Sequence, residues 1–204
     1  MPYRTVAESA EREREIRGSR FRARVAPLAT AEDAAALLAA ARADHPDATH
    51  HVSAWRFGEA MGADDDGEPG GTSGRPMLEV LLKRDLDRTA IVCVRWFGGT
   101  RLGAGGLVRA YAGTAAMALD AAGTRTVHAT THLRIRVGYA HVDVLTRLLA
   151  DRPHVRAAPP AFDAGGAYVD AEVRTDDREA VTHAVADATH GAAQVGEAPP
   201  DAPL

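Results

Sequence analysis

From Ser19 to Ala26 (SRFRARVA) polar and small or apolar residues alternate, a period of two that predicts a strand with one buried face. The residues before it are dominated by Glu and Arg and read as a short charged lead. From Thr30 to Ala43 the run TAEDAAALLAAARA is rich in strong helix formers, which predicts a helix with Thr30 as N-cap and Asp33 three residues on. Pro46 follows it. His51–Phe57 alternates again as a strand, and Met61–Gly74, dense in Gly and Asp, reads as a loop. Pro76–Lys83 predicts a helix, and Ala90–Arg95, with its apolar run IVCV, a buried strand. A glycine run over 98–106 leads into a helix expected from Leu107 to Ala122.

The pattern restarts at Thr131. THLRIRVG is a strand, and Val142–Ala150 a helix with Leu145, Leu148 and Leu149 on one face. Val155–Ala158 and Ala167–Arg174 are strands, Asp177–Thr189 a helix and Ala193–Val195 a last short strand. This β-α-β-β-α-β order is the ferredoxin-like arrangement. The expected fold is therefore α+β in two domains, 1–128 and 129–197, joined near residues 124–130, with 198–204 a disordered tail.

Composition narrows the picture. The chain has 204 residues, 46% hydrophobic and 25% charged, so it can bury a core. With 5% aromatics and 43 alanines, that core is small-residue and aliphatic. A net charge of −4 excludes a surface uniformly basic for nonspecific nucleic-acid capture, while leaving room for a local patch. Residues 75–125 hold eight basic against four acidic side chains; residues 129–204 hold seven against eleven. The single cysteine, Cys93, lies in the apolar run IVCV and is expected to be buried and inert. It permits neither an internal disulfide nor a cysteine-based zinc site. No stretch is apolar enough to span a bilayer, and the leading residues lack the apolar core of a signal peptide. The expected address is the cytoplasm, with no membrane partner.

The segment Gly98-Gly99-Thr100-Arg101-Leu102-Gly103-Ala104-Gly105-Gly106 is the candidate for chemistry. It leaves a buried strand and opens a helix, where free backbone N–H groups and the helix dipole favour an anion. Arg95, Arg101 and Arg109 would add charge around it. It is no nucleotide signature: a dinucleotide fingerprint from Gly103 meets Val108 where glycine is required, and a P-loop from Gly98 meets Ala104 and Gly105 in place of Lys and Ser/Thr. A second candidate cluster joins His50, Asp66, Glu68 and Ser73. The acidic loop Asp64–Gly74 is not an EF-hand, because Pro69 and Arg75 occupy the glycine and glutamate positions. Nor is it a nucleophile elbow, because Arg75 replaces the last glycine. His50 and His51 are adjacent and point to opposite faces of a strand. Trp96 and Phe97, beside the glycines, could pack in the core or stack on a base.

Four segments carry a family resemblance: IRGSRF (Ile16–Phe21), ATHHVSAWR (Ala48–Arg56), DDGEPGGTSGRPML (Asp65–Leu78) and VRWFGGTRLGAGGLVRAY (Val94–Tyr111). In this order they resemble the IMPACT/YigZ family, and the C-terminal half is similar to the extra domain of its bacterial members. The resemblance implies an N-terminal α/β sandwich like the second domain of a small-subunit ribosomal protein and domain IV of elongation factor G. It implies a C-terminal domain like the last domain of that factor. Eukaryotic relatives are translational regulators that compete for the activator of a stress kinase, partly through a domain this sequence does not match. For bacterial members it implies an RNA- or ribosome-associated role, with no catalytic residues to carry across. Gly71 and Ser73 stand where the family more often has Ser and Ala, and Thr100-Arg101 where it has Ile-Lys. The latter keeps the charge and suits bidentate phosphate contact.

The expected function is thus a non-catalytic translation-associated regulator, without cofactor or metal. It would bind RNA or ribosome through Arg95, Gly98, Gly99, Arg101, Gly103, Gly105, Gly106 and Arg109. The alternative is a phosphometabolite-binding protein or enzyme using the glycine cradle, with the Asp64–Glu68 loop holding Mg²⁺. A protein partner for the acidic C-terminal half is a third reading.

Overall fold

The computed structural model describes residues 2–199. The chain divides into two compact units, one spanning Tyr3–Val127 and the other beginning at His128.

The first unit is built on a five-stranded antiparallel sheet. Its strands are β2 (Ala10–Ile16), β3 (Ser19–Pro27), β4 (His50–Phe57), β5 (Ala60–Asp64) and β6 (Thr89–Trp96), in the order β2-β3-β6-β4-β5. A separate ribbon pairs β1 (Tyr3–Val6) with β7 (Thr124–Val127). Central β6 is buried from Thr89 to Arg95, and its Ala90–Val94 run is apolar, because both its faces are covered. One face packs Phe21, Ala23, Val25, Val52, Ala54, Ile91 and Cys93 against α2 (Gly74–Lys83) and α3 (Ala104–Ala122). On the other, Val92 and Val94 pack against α1 (Asp33–Asp44), which buries Ala41.

Several expectations are corrected. The charged lead forms two strands, β1 and β2, and in β2 the alternation is of Glu with Arg rather than of polar with apolar. In β2, Glu11 and Glu13 face Arg24 and Arg22 of β3 and pair with them at 3.0 and 2.7 Å. Arg14 lies on the opposite face and reaches α3, donating to Thr114 Oγ1 at 2.8 Å. Thr30 does not cap α1: the helix starts at Asp33, whose carboxylate turns back to accept the N–H groups of Ala29 and Thr30. The loop expected from Met61 begins as β5, a hairpin partner of β4. Helices α2 and α3 start two and three residues earlier than expected, at Gly74 and Ala104.

The second unit is a βαββαβ sheet of β8 (Thr130–Val137), α4 (Val142–Ala150), β9 (Arg156–Ala157) with β10 (Ala161–Asp163), β11 (Gly166–Arg174), α5 (Arg178–Ala188) and β12 (Gln194–Glu197). Its antiparallel order puts β8 between β12 and β11, with β9 and β10 both on the outer side of β11. The split between β9 and β10 falls at Pro159 and Pro160, which have no N–H to give a ladder. Leu133, Ile135, Val169 and Val173 face Leu145, Leu149, Val181 and Val185 in its core. Ala198 still donates to the His132 carbonyl at 3.0 Å, so the tail is tied at its first residue; 200–204 lie outside the described residues. No helix among the described residues is long and apolar enough to cross a membrane.

Candidate phosphate-binding pocket

Cross-strand register assembles the floor of the site. Arg95 on β6 stands opposite Phe21 on β3 and His50 on β4, all on the α2/α3 face. Arg95 is 4% exposed, and its Nη1 donates to Glu68 Oε1 at 2.5 Å. Tyr111 of α3 donates to the same oxygen at 2.6 Å. Burial pushes the Tyr111 phenol up, with its hydrogen bond to Glu68 adding to the effect, so it remains a neutral donor. His50 Nδ1 sits 2.8 Å from the Asp66 carbonyl, and its Nε2 lies 3.9 Å from Glu68. The Arg95 guanidinium also contacts Ser19 Oγ and lies over Phe21 and Phe97, yet its buried Nε has no hydrogen-bond partner.

Above this floor opens a cavity of about 470 Å³ lined by His50, Glu68, Arg95, Phe97, Arg101 and Leu107, among others. The size lies within the ~300–1,000 Å³ range of small-molecule sites. The start of α3 forms part of it. Gly103 takes φ +71, a left-handed conformation that glycine adopts without strain, and no side chain caps the helix. The first bond into the helix runs from the Leu107 N–H to the Gly103 carbonyl, leaving the N–H groups of Ala104, Gly105 and Gly106 without partners. There is no acid in the first turn. A second, smaller pocket shares Leu102 with the first and is lined by Arg14, Arg17, Gly106 and Arg109.

The glycines divide in role. Gly98 is a packing residue, because a Cβ there would stand 1.9 Å from the Gly18 carbonyl, and its N–H donates to Ser19 Oγ. Gly99 and Gly103 have open space around them and serve turns of positive φ. Gly105 and Gly106 lie in the first turn of α3 rather than in a loop.

The acidic loop is used internally. Asp65 accepts the N–H groups of Gly71, Ser73 and Gly74 and the Ser73 hydroxyl, standing as the anion at the start of α2. Burial raises its carboxyl, but the Ser73 hydroxyl and these amides outweigh that and hold it below the usual value. Asp66 accepts the His51 N–H and pairs with Arg42. With Glu68 on Arg95 and Tyr111, these carboxylates serve protein donors. Among the described residues no three His, Cys, Asp or Glu gather to hold a metal. Ser73 and Asp66 therefore stand outside the pocket, which His50 and Glu68 share with Arg95 and Arg101. Cys93 is fully buried, and burial pushes its thiol up.

Charge placement was not readable from counts. Arg22, Arg24, Arg42, Arg56, Arg84 and Arg95 all pair with carboxylates. Among the described residues, Arg17, Arg101 and Arg109, around the start of α3, have no ion pair or side-chain hydrogen bond. Arg17 escaped the sequence reading; its only signal was its place in the hairpin turn between β2 and β3.

These features describe a two-unit α+β protein with an open helix N-terminus ringed by unpaired arginines. Residues 17–119 match the Impact N-terminal domain, and the chain belongs to the IMPACT family. It is 44% identical over 142 residues to an IMPACT family member in the pol 5′ region of Thermus thermophilus, covering 70% of this chain and 77% of that one. It is 39% identical over 140 residues to YigZ of Escherichia coli, covering 66% and 69%. A crystal structure of a hypothetical protein superimposes with a TM-score of 0.65 at 29% identity over 98% of each chain.

Proposed function

We propose that this protein is a non-catalytic, translation-associated regulator whose first unit binds the phosphate backbone of RNA, free or on the ribosome. The supporting observation is the concentration of Arg17, Arg101 and Arg109, none in an ion pair among the described residues, around three free N–H groups at the start of α3, on a molecule of net acidic charge. Anions are favoured there by dipole and donors together. Arg95 and Glu68 hold the floor in place rather than serve as free charges. The family resemblance to translational regulators agrees with this reading.

The test is anisotropy of a labelled RNA across a salt series. Binding is expected to fall steeply with salt as phosphate counterions are released. Arg101→Ala is expected to cost ~1–3 kcal/mol of affinity and to lower the salt slope by about one. Arg101→Lys is expected to restore the slope but not all the affinity. Salt-insensitive binding, or an Arg101→Ala protein that binds normally, overturns the reading. The enclosed floor of the cavity favours a second reading, a phosphorylated small molecule. That ligand would bind with little salt dependence and raise the melting temperature.

A further inference from the structure

The RNA reading leaves Phe97 unexplained. It follows β6 directly, is 48% exposed, and lines the cavity whose other walls include Arg101 and the uncapped start of α3. Its backbone is held, with the N–H donating to Thr49 Oγ1 at 3.0 Å, and Arg95 lies 5.5 Å from its ring centroid. Trp96, its neighbour, is already occupied: Arg20 lies 3.9 Å from its ring and its indole N–H donates to Asp47. The cavity thus joins three recognition elements. Phe97 offers a half-exposed aromatic face. Arg101 and the N–H groups of residues 104–106 offer donors for a phosphate. His50 lines the same space, and with its Nδ1 turned to the Asp66 carbonyl its Nε2 can accept from a hydroxyl or amino group. Arg95, buried, lines it too, with its Nε unsatisfied.

We infer that this cavity takes one unpaired nucleotide of single-stranded RNA, its base on Phe97 and its phosphate at the start of α3. The inference rests on the RNA reading above and adds a preference to it. In a duplex each base is stacked and paired, so a duplex reaches only the exposed arginines. A single strand can turn one base out onto an aromatic ring, which is how sequence-tolerant recognition of single strands works.

The experiment compares an unstructured oligouridylate with a duplex RNA of the same length, on the full chain, by anisotropy at several salt concentrations. The single strand is expected to bind more tightly. Phe97→Ala is expected to weaken single-strand binding about 5- to 150-fold, the worth of one base stack, while leaving duplex affinity and the salt slope unchanged. Phe97→Trp is expected to retain single-strand binding, which separates a stacking role from a merely structural one. Equal affinity for the two RNAs, or a Phe97→Ala loss shared by both, overturns the nucleotide pocket while the phosphate reading stands. Failure of both RNAs to bind at low salt overturns the phosphate reading and the nucleotide pocket together.

Discussion

Glu68→Leu tests whether the pocket floor rests on a buried charge pair. The Glu68 and Arg95 side chains are 3% and 5% exposed, and they meet at 2.5 Å. Leucine has about the volume of glutamate, so the change removes charge rather than bulk. It leaves the Arg95 guanidinium buried without a counter-ion, a loss of ~3–5 kcal/mol for breaking such a pair. The Tyr111 hydroxyl loses its acceptor in the same step. Against a typical total stability of ~5–15 kcal/mol, this is a large fraction. At a urea slope of about 2 kcal/mol/M, the midpoint is expected to drop by about 1.5–2.5 M. The chain's two tryptophans, Trp55 and Trp96, both lie in the first unit, so their fluorescence follows its unfolding without interference from the second. The combined variant Glu68→Leu, Arg95→Met and Tyr111→Phe removes all three polar partners. It is expected to recover to within ~1–2 kcal/mol of the parent, because desolvating a buried pair nearly offsets its attraction. A Glu68→Leu midpoint equal to the parent's would refute the reasoning. A triple variant as unstable as the single one would show that packing, not charge, sets the cost.

Three further outcomes are expected. Asp65→Asn lowers stability near neutral pH; because the folded carboxyl titrates below its ordinary value of about 3.9, the gap from the parent holds above that pH and closes as pH falls through the folded value, followed by acid-limb denaturation. Gly98→Ala puts a Cβ on the Gly18 backbone and should destabilise the first unit by about 3 kcal/mol or more, read by the same fluorescence assay; an unchanged midpoint would remove its packing role. Residues 129–204 expressed alone should melt cooperatively by circular dichroism, as expected of a unit with its own apolar core, and a molten fragment would count against a boundary near Val127.

Much of the fold was legible because local burial imposes a period that the residues must match. The unbroken apolar run of β6 and the amphipathic α4, whose ends match the expected Val142–Ala150, needed no long-range information. The glycine run marked a strand-to-helix turn, because only positions of positive φ or close approach demand glycine so densely. What failed locally did so for nameable reasons: β2 buries through ion pairs and an arginine reaching α3, and Asp33 turns back to the preceding loop in place of a Thr30 cap. The pocket itself belongs to the tertiary structure. His50, Glu68, Arg95 and Arg101 come from β4, the acidic loop, β6 and the glycine turn, and sheet register together with loop closure brings them to one cavity. The same is true of charge: twenty-three arginines look alike in a sequence, and only folding decides which meet a carboxylate and which do not.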